Sequence, residues 1–508
     1  MKLCYSAQMR EIDRHAIEDL GISGVDLMSK AAEHLAAAAM EKLPPGGLAA
    51  VFCGTGNNGG DGIGAAAYML KNGVHIRVFL IGDPEKMTAD SEEMLHRLNA
   101  LGGTIERFEA SDELREYSHG CDVIIDAMFG IGLNSGLRGD ALQAAQIINA
   151  SRAFVISADI PSGVDADTGA VLSQSVAADM TITFSLAKPG HFIEPGCASC
   201  GQLRVCDIGI PRKVIDETES GVFAVMPESI TLPERRPDSH KGDYGRCFIV
   251  AGSVGYTGAP ALSARAASRM GAGLVFLGVP ETIYDILAAK LDEEMPFPLP
   301  DDKNGQISAN AAGKILSRAG QSDVFLFGPG LGQSPEISEL TASAIQLISV
   351  PTILDADGIN AIAAKAGILR NAACPLILTP HPGEFARLGG GSLPAADRLG
   401  AARLFAREHG CVLVLKGHRT ITAMPDGTAY INTTGGPAMA KAGCGDVLAG
   451  MIAALVGQKF LIKDAVLIAV YLHGLAGDMC AARYGEYSVT AGDIVSMLPK
   501  AICRHSGR

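Results

Sequence analysis

Short, unbroken apolar runs, each ending in Gly, Asp or Pro and followed by a helical pattern, recur along the whole chain. "AAVFCG" (49–54), "HIRVFLIG" (75–82), "CDVIIDAMFG" (121–130) and "AFVISADIPSG" (153–163) lie in the first half. "RCFIVAGS" (246–253), "GLVFLGVP" (273–280), "DVFLFGPG" (323–330), "PTILDADG" (351–358), "PLILTPHPG" (375–383) and "CVLVLKG" (411–417) follow in the second. A strand covered on one face alternates apolar and polar residues, whereas a strand covered on both faces reads as a continuous run. The runs therefore predict mostly parallel sheets with crossover helices, an α/β class.

The series breaks at 211–243, which is rich in Pro and charge and poor in apolar periodicity. Such a stretch runs over a surface, so a boundary is placed near 222, giving domains 1–222 and 223–508. With 508 residues and 48% hydrophobic content, each half can bury its own core. The two strand series do not align as a repeat, and two different folds are expected.

A net charge of −13 offers no basic footprint for nucleic acid or an anionic membrane. Helix starts can still take an anionic small molecule on backbone amides. The opening "MKLCYSAQMREIDRHAIEDLG" carries charge every few residues, so neither a signal peptide nor a membrane span is expected there. Twelve dispersed cysteines fit reduced thiols in a cytoplasm. Cys197 and Cys200, with Cys206 and His191 near them, lack the second C-x-x-C of a structural zinc site and read as incidental thiols.

The sharpest motif is "NTTGGPAMAKAGCGDVLAGMIAAL" (432–455), in which Gly443, Cys444, Gly445 and Asp446 open an apolar helix. Glycines at a helix start let N–H groups approach an anion, and the macrodipole favours negative charge there. A carboxylate beside such a site is unfavourable unless it has a task. Accepting a proton from a hydroxyl that attacks a phosphoryl group is the task that fits, with helix capping as the alternative.

Together with "FGPGLG" (327–332), "LDADGINAI" (354–362) and "LTPHPGE" (378–384), this motif resembles the ribokinase superfamily. With "HKGDYG" (240–245) and "GSVGYTGAPALSARAASRMGAGLV" (252–275) added, the region 225–505 resembles the ADP- or ATP-dependent NAD(P)H-hydrate dehydratases. The resemblance implies a ribokinase-like C-terminal domain using ADP or ATP with Mg2+. It implies that Ala259, Gly332, His381 and Asp446 contact the hydrated dinucleotide. Lys416, Gly417, His418, Arg419, Thr420 and Gly445 would contact the adenine nucleotide, with Asp446 the catalytic acid/base. Cys444 stands where a small or hydroxyl residue is expected. Taken alone, His381 could be a loop residue and Lys416 a solvated strand end.

In the first half, "VFCGTGNNGGDG" (51–62) meets the G-x-G-x-x-G spacing of a dinucleotide fold, with Asp83 a passable ribose ligand. Asn57, Asn58 and Asp61 add oxygens that hydride chemistry does not ask for. Asp126 ends another run, and Asp159, Ser162 and Asp165 end a third. One amide, one carboxylate and one hydroxyl converging from strand ends suit a monovalent cation better than calcium; the alternative is that the acids cap the next turn.

With "MREID" (9–13), "DAMFGIGLNSGLRG" (126–139), "TFSLAKPGH" (183–191) and "DIGIP" (207–211), residues 1–215 resemble the NAD(P)H-hydrate epimerases, a Rossmann-like three-layer domain also found fused to the dehydratase. The resemblance implies that Asn57, Asn58, Gly59, Gly60, Asp61, Gly130, Ile131, Gly132, Leu133, Asn134, Ser135, Gly136 and Asp159 bind the hydrated dinucleotide. Asn58, Asp126 and Ser162 would hold K+. Asp159 would carry the epimerase proton transfer. Lys188 is either a partner to the ring or phosphates, assisting Asp159, or a solvated lysine before a Pro-Gly turn. Ser29 and Lys30 stand where an acid is expected. The combined expectation is a cytoplasmic, self-associating repair enzyme for hydrated NADH and NADPH, with no nucleic-acid or membrane partner. A sugar or vitamin kinase fused to an accessory domain, and a binding scaffold, are the rivals.

Overall fold

The computed structural model describes residues 1–133, 135–389 and 397–505. The chain divides into two units, Lys2–Val222 and Phe223–Arg508, with Met1 grouped with the latter.

The first unit is built on seven strands: β1 (Leu48–Cys53), β2 (His75–Leu80), β3 (Ile105–Arg107), β4 (Val123–Ala127), β5 (Phe154–Ala158), β6 (Met180–Phe184) and β7 (Gln202–Cys206). They pair in parallel in the order β3-β2-β1-β4-β5-β6-β7. Along β1, Ala49, Val51 and Cys53 join one core while Ala50 and Phe52 join another. The pleat thus sends alternate residues of a continuous apolar run to two buried faces. Helices Ser6–Arg14, Gly24–Lys42 and Asn57–Lys71 cover the first face, and Asp112–Gly120 and Gly139–Ala150 the second. Ser29 is absorbed by its helix: its hydroxyl donates to the Val25 carbonyl at 2.6 Å and accepts from Arg97 at 2.9 Å.

The second unit contributes β9 (Arg246–Val250), β10 (Leu274–Pro280), β11 (Met295–Leu299), β12 (Val324–Phe327), β13 (Thr352–Leu354), β14 (Leu376–Leu378), β15 (Val412–Leu415), β16 (Ile421–Ala423) and β17 (Ala429–Asn432), and its sheet ends on β8 (Val222–Val225). The order is β11-β10-β9-β12-β13-β14-β15-β16-β17-β8. Pairing is parallel from β11 to β15 and antiparallel from β15 through β17. Both sheets are therefore wound alike about a central pair, β1/β4 in one and β9/β12 in the other, although their sequences do not align. The antiparallel extension distinguishes the second.

On one face of this sheet, helices Gly258–Arg269 and Cys444–Gly457 pack backbone to backbone. A Cβ at Gly450 would lie 2.1 Å from the Ser263 carbonyl. Helix Ile462–Tyr484 is long and apolar enough to cross a membrane, yet 67% of its most apolar window is buried in this core. On the other face Phe248 packs against Phe325 and Phe297, with ring centroids 5.3 and 5.7 Å away. In open parallel sheets, ligands collect beyond the carboxyl ends of strands where the winding reverses.

Candidate active sites

In the first unit the loops leaving β1 and β4 border a cavity of about 910 Å3. A Cβ at Gly54 would lie 2.0 Å from the Met128 carbonyl, and one at Gly59 would lie 1.8 Å from the Gly54 carbonyl. Only glycine permits that close approach, which seats the start of helix Asn57–Lys71 against the turn.

Asp159 sits just past β5 in a left-handed conformation, φ 61°, a strained state for a non-glycine residue that persists only where its surroundings enforce it. Lys188, 1% exposed, donates to Asp159 Oδ1 and to Thr183 Oγ1, and Thr183 Oγ1 donates to the same carboxylate oxygen at 2.9 Å. The solvated-lysine reading is thereby overturned: Lys188 is inside, and a buried ammonium needs a partner. Burial opposes the charge on Asp159, but Lys188 prevails and holds its carboxyl below the ordinary range. His191 accepts from the Lys188 N–H on Nδ1 and donates from Nε2 to the Asp159 carbonyl at 2.8 Å. Burial and then Lys188 push its pKa down to about 4, so it stays neutral.

Around Gly130 the Asn58 Oδ1 and Asp159 Oδ2 atoms converge, 3.1 and 3.3 Å from where a Cβ would stand. Asp126 is fully buried behind them. Its carboxyl accepts from Ser162 Oγ at 2.6 Å, from the Ser162 N–H and Ser157 Oγ at 2.9 Å, and from the Met128 N–H at 3.3 Å. Ser162 Oγ accepts from the Phe129 N–H and lies 3.4 Å from the Phe129 carbonyl. Burial raises the Asp126 pKa despite those donors. No cationic side chain pairs with it among the described residues, and the buried Asn58 Nδ2 has no partner. An oxygen-rich set carrying one formal charge and lacking a counter-ion fits a monovalent cation.

Of the expected dinucleotide contacts, Asn57, Asn58, Asp61, Gly130, Ile131, Gly132, Leu133 and Asp159 line this cavity, and so do Asp83 and Lys188. Gly59, Gly60, Ser135 and Gly136 do not. Gly60 faces Met28 and Ser91, and Gly136 faces Ser173. Asn134 lies outside the described residues. Asp13, on the "MREID" helix, lines the cavity and was given no role from sequence.

In the second unit a cavity of about 670 Å3 lies between the ends of β13, β14 and β15 and the start of helix Cys444–Gly457. Gly443 precedes that helix at φ 91°, a left-handed turn that aims the first free N–H groups at the cavity. Lys416, leaving β15, donates to Asp355 Oδ1 at 2.8 Å, and Thr379 donates to the same oxygen at 2.6 Å. Burial opposes the charge on Lys416, but Asp355 and Glu384 outweigh it and raise its pKa. The solvated-strand-end alternative is overturned here as well. Burial first, then Asp355, lifts Asp446 to about 7. Several carboxylates therefore share one lysine.

His381 caps the short helix Pro382–Leu388, its Nδ1 accepting from the Gly383 and Glu384 N–H groups, and its ring also lines the cavity. Lys416, Gly417, His418, Thr420, Gly445 and Asp446 line it too. Arg419 is not among them: at φ 58° its guanidinium donates to the Thr433 carbonyl. Ala259 and Gly332 also lie outside this cavity. Ala259 packs by Gly330 at the β9/β12 reversal, and the Gly332 N–H donates to Asp357 Oδ2 at 2.9 Å. Asp357 connects the two places, since its charge bears on Asp446.

Asp355, Asp357 and Glu384 lie within motifs quoted from the sequence but were given no role. His473 gave no signal there; it is buried, its pKa is pushed down to about 4 by burial, and its Nε2 has no partner among the described residues. Cys444 is buried in the first helical turn with its thiol pKa raised by burial, so it acts as a small apolar residue. None of the twelve cysteines is joined in a disulfide.

Residues 247–500 match the NAD(P)H-hydrate dehydratase family, and 24–190 match the YjeF-related protein N-terminus. The bifunctional NAD(P)H-hydrate repair enzyme Nnr of Moorella thermoacetica is 39% identical, over 98% of this chain and 96% of that protein. Its counterpart in Thermofilum pendens is 38% identical, over 99% and 96%. The crystal structure of the ADP/ATP-dependent NAD(P)H-hydrate dehydratase of Bacillus subtilis is 30% identical and covers 56% of this chain and all of its own, with a TM-score of 0.49.

Proposed function

We propose, for a chain that belongs to the family of bifunctional NAD(P)H-hydrate repair enzymes, that its two cavities divide the two reactions between them. The enzyme interconverts the R and S forms of hydrated NADH and NADPH and dehydrates the S form at the expense of ADP or ATP. Epimerisation is assigned to residues 1–222 and dehydration to 223–508.

In the second cavity the substrate hydroxyl loses its proton to Asp446 as its oxygen attacks the terminal phosphorus. The N–H groups at Cys444 and Gly445, with Lys416, receive the phosphoryl oxygens. The nitrogen lone pair then expels the phosphorylated hydroxyl as phosphate, and loss of a proton from the neighbouring ring carbon, taken up by the departing phosphate, restores the C=C bond and returns the lone pair to nitrogen. Coupling to a nucleotide is reasonable because hydroxide leaves poorly and phosphate well. Ala259, Gly332 and His381 are assigned to the dinucleotide. Lys416, Gly417, His418, Thr420 and Gly445 are assigned to the nucleotide, with Arg419 fixing the loop through Thr433. Asp355, Asp357 and Glu384 are hard oxygen donors of the kind Mg2+ takes, and the ion offsets phosphate charge when bound.

In the first cavity Asp159, oriented by Lys188, moves the proton at the ring, while Asn57, Asn58, Asp61 and Gly130–Leu133 hold the dinucleotide. K+ is assigned to Asn58, Asp126 and Ser162, where it offsets the buried carboxylate. Cysteines without disulfides and a net charge of −13 support a cytoplasmic protein that acts on small molecules.

The observation that carries this reading is Asp446, placed in the first turn of an anion-accepting helix and tuned to about 7, near the pKa of an efficient general base. The test mixes the protein with NADH hydrate and ADP or ATP and follows recovery of dihydronicotinamide absorbance. Recovery with either nucleotide is expected. No recovery with both, or a phosphorylated product that persists, would defeat the reading.

A further inference from the structure

Of the aspartates that line the first cavity, three from three different elements feel one another's charge: Asp13 on helix Ser6–Arg14, Asp61 on helix Asn57–Lys71 and Asp159 after β5. Only Asp159 has a cationic partner. Among the described residues the carboxyl oxygens of Asp13 and Asp61 have no hydrogen bond or ion pair, although both groups feel Asp159 and Lys188. Asp13 shares a helix face with Met9 and Ile17, which also line the cavity, and lies two residues ahead of a π-helical turn, His15–Asp19. Such turns are uncommon and concentrate at functional sites. An unpaired carboxyl group turned into a ligand cavity is costly to keep ionised and does little for folding.

We propose that Asp13 is a second catalytic carboxyl group of the epimerase, protonating the departing hydroxyl on one ring face while Asp159 takes the proton of the water that returns on the other. The inference rests on the epimerase reading of this cavity.

Hydration of an enamine leaves the hydroxyl on the carbon bonded to nitrogen. Once Asp13 gives its proton to that hydroxyl, the C–O bond breaks, water leaves, and the nitrogen lone pair forms a C=N bond. A water on the opposite face then forms a new C–O bond. The C=N electron pair returns to nitrogen, and the proton released goes to Asp159 Oδ2, the oxygen that Lys188 and Thr183 leave free. The net change is one hydroxyl exchanged between faces and one proton moved between two carboxyl groups. In the reverse direction the roles swap, as they must for an equilibrium between epimers. Carboxyl pairs on opposite ring faces are an established solution for displacement by water.

The groups that face Asp13 are Lys188, Asp159 and Asp61, with the Cys4 thiol on its own side of the sheet. Burial raises Asp13 to about 6, low enough to give up a proton and high enough to carry one. Burial pushes Asp61 well above its ordinary value, and it is buried at its helix start, whereas Asp13 is only half-buried. That difference selects Asp13 over Asp61 as the group that cycles.

The test follows interconversion of purified R and S NADH hydrate by the full chain, without nucleotide so that dehydration is silent. Asp13→Asn should slow it by about 10²-fold or more, and Asp13→Glu should restore part of the rate. The parent rate should fall as pH rises past about 6, a fall that Asp13→Asn should lack. A parent-like rate in Asp13→Asn, or a slowed rate with the parent pH profile, would overturn the inference. So would loss of R-hydrate binding by calorimetry, which would make Asp13 structural. Asp159→Asn, run in parallel, separates the two levels: if it loses activity while Asp13→Asn keeps it, only Asp13 is wrong. If both keep it, the epimerase reading of the cavity fails as well.

Discussion

The two units wind their parallel strands in the same order about a central reversal, yet they use the crevice differently. In the first, the cavity opens at the reversal, bordered by the loops after β1 and β4, and its Asp159 carboxylate is neutralised by a buried lysine. In the second, Ala259 and Gly332 lie at the reversal while the anion-accepting helix start lies further along the sheet, beyond β15, and carboxylates outnumber the lysine. Around Asp159 charge is balanced from within, and only Asp126 beside it is left for a cation to offset. A site that takes a nucleotide and its metal ion keeps unbalanced charge for them to offset. Topology fixes where a crevice opens; the charges along its rim decide the chemistry.

The sharpest way to break this contrast is Asp446→Asn. Dehydration of S hydrate should fall by about 10² to 10⁴-fold with little change in nucleotide binding, the span expected for a lost general base. Single-turnover absorbance recovery checks it, and an unchanged rate would return Asp446 to capping the helix.

Asp159→Ala should reduce repair of R hydrate to the uncatalysed epimerisation rate, while S hydrate, which does not need that cavity, is still repaired. An equal amount of the Asp446→Asn chain, inactive in dehydration but intact at Asp159, should restore R-hydrate repair when mixed in. Repair of R hydrate by Asp159→Ala at the parent rate would remove the first cavity from the pathway.

The pH dependences should oppose one another. Asp446 must be ionised to act, so dehydration should rise as pH climbs through about 7. Asp13 must be protonated, so epimerisation should decline above about 6. Each rate should change by about tenfold per pH unit on its unfavourable limb. Profiles of the same sign would erase the distinction between the sites.

The smallest effect is ionic. Replacing K+ by a large organic cation should weaken R-hydrate binding by about 5-fold or more, a typical coupling between sites. Asp126→Ala should abolish that dependence. The Asp126 pKa is raised on folding, so without the cation its contribution is fully present below the unfolded value and is lost as pH rises through the folded one. K+ should therefore raise the melting temperature more at alkaline than at acid pH.

Much of this was legible in the sequence because burial on both faces leaves a continuous trace. β1, β9 and β12 are the apolar runs themselves. By contrast β7, "QLRVC", is largely uncovered, and β11, "MPFPL", is broken by prolines, so neither announces a strand. The glycine turns were legible because close backbone approach admits no other residue. Asp13 was not, because it sits in a charged helix of the kind that usually covers a surface, and only tertiary packing turns it inward. The placement of Arg419 depends on one left-handed backbone angle, which residue type does not encode. Asp355 and Asp357 were visible as letters, but their pull on Asp446 required the sheet to bring them together.

The enclosed Asp159–Lys188 pair constrains the lineage of this protein as well as its reaction. Removing one partner strands the other charge inside, a loss of about 3–5 kcal/mol, which is a large share of what holds a domain together. A descendant that no longer needs epimerisation cannot discard the two residues one after the other without passing through a weakened ancestor. It keeps both, or loses both together. An intact pair in a homologue is therefore poor testimony that the homologue still epimerises anything; the unpaired Asp13, which folding does not require, would be the first to drift.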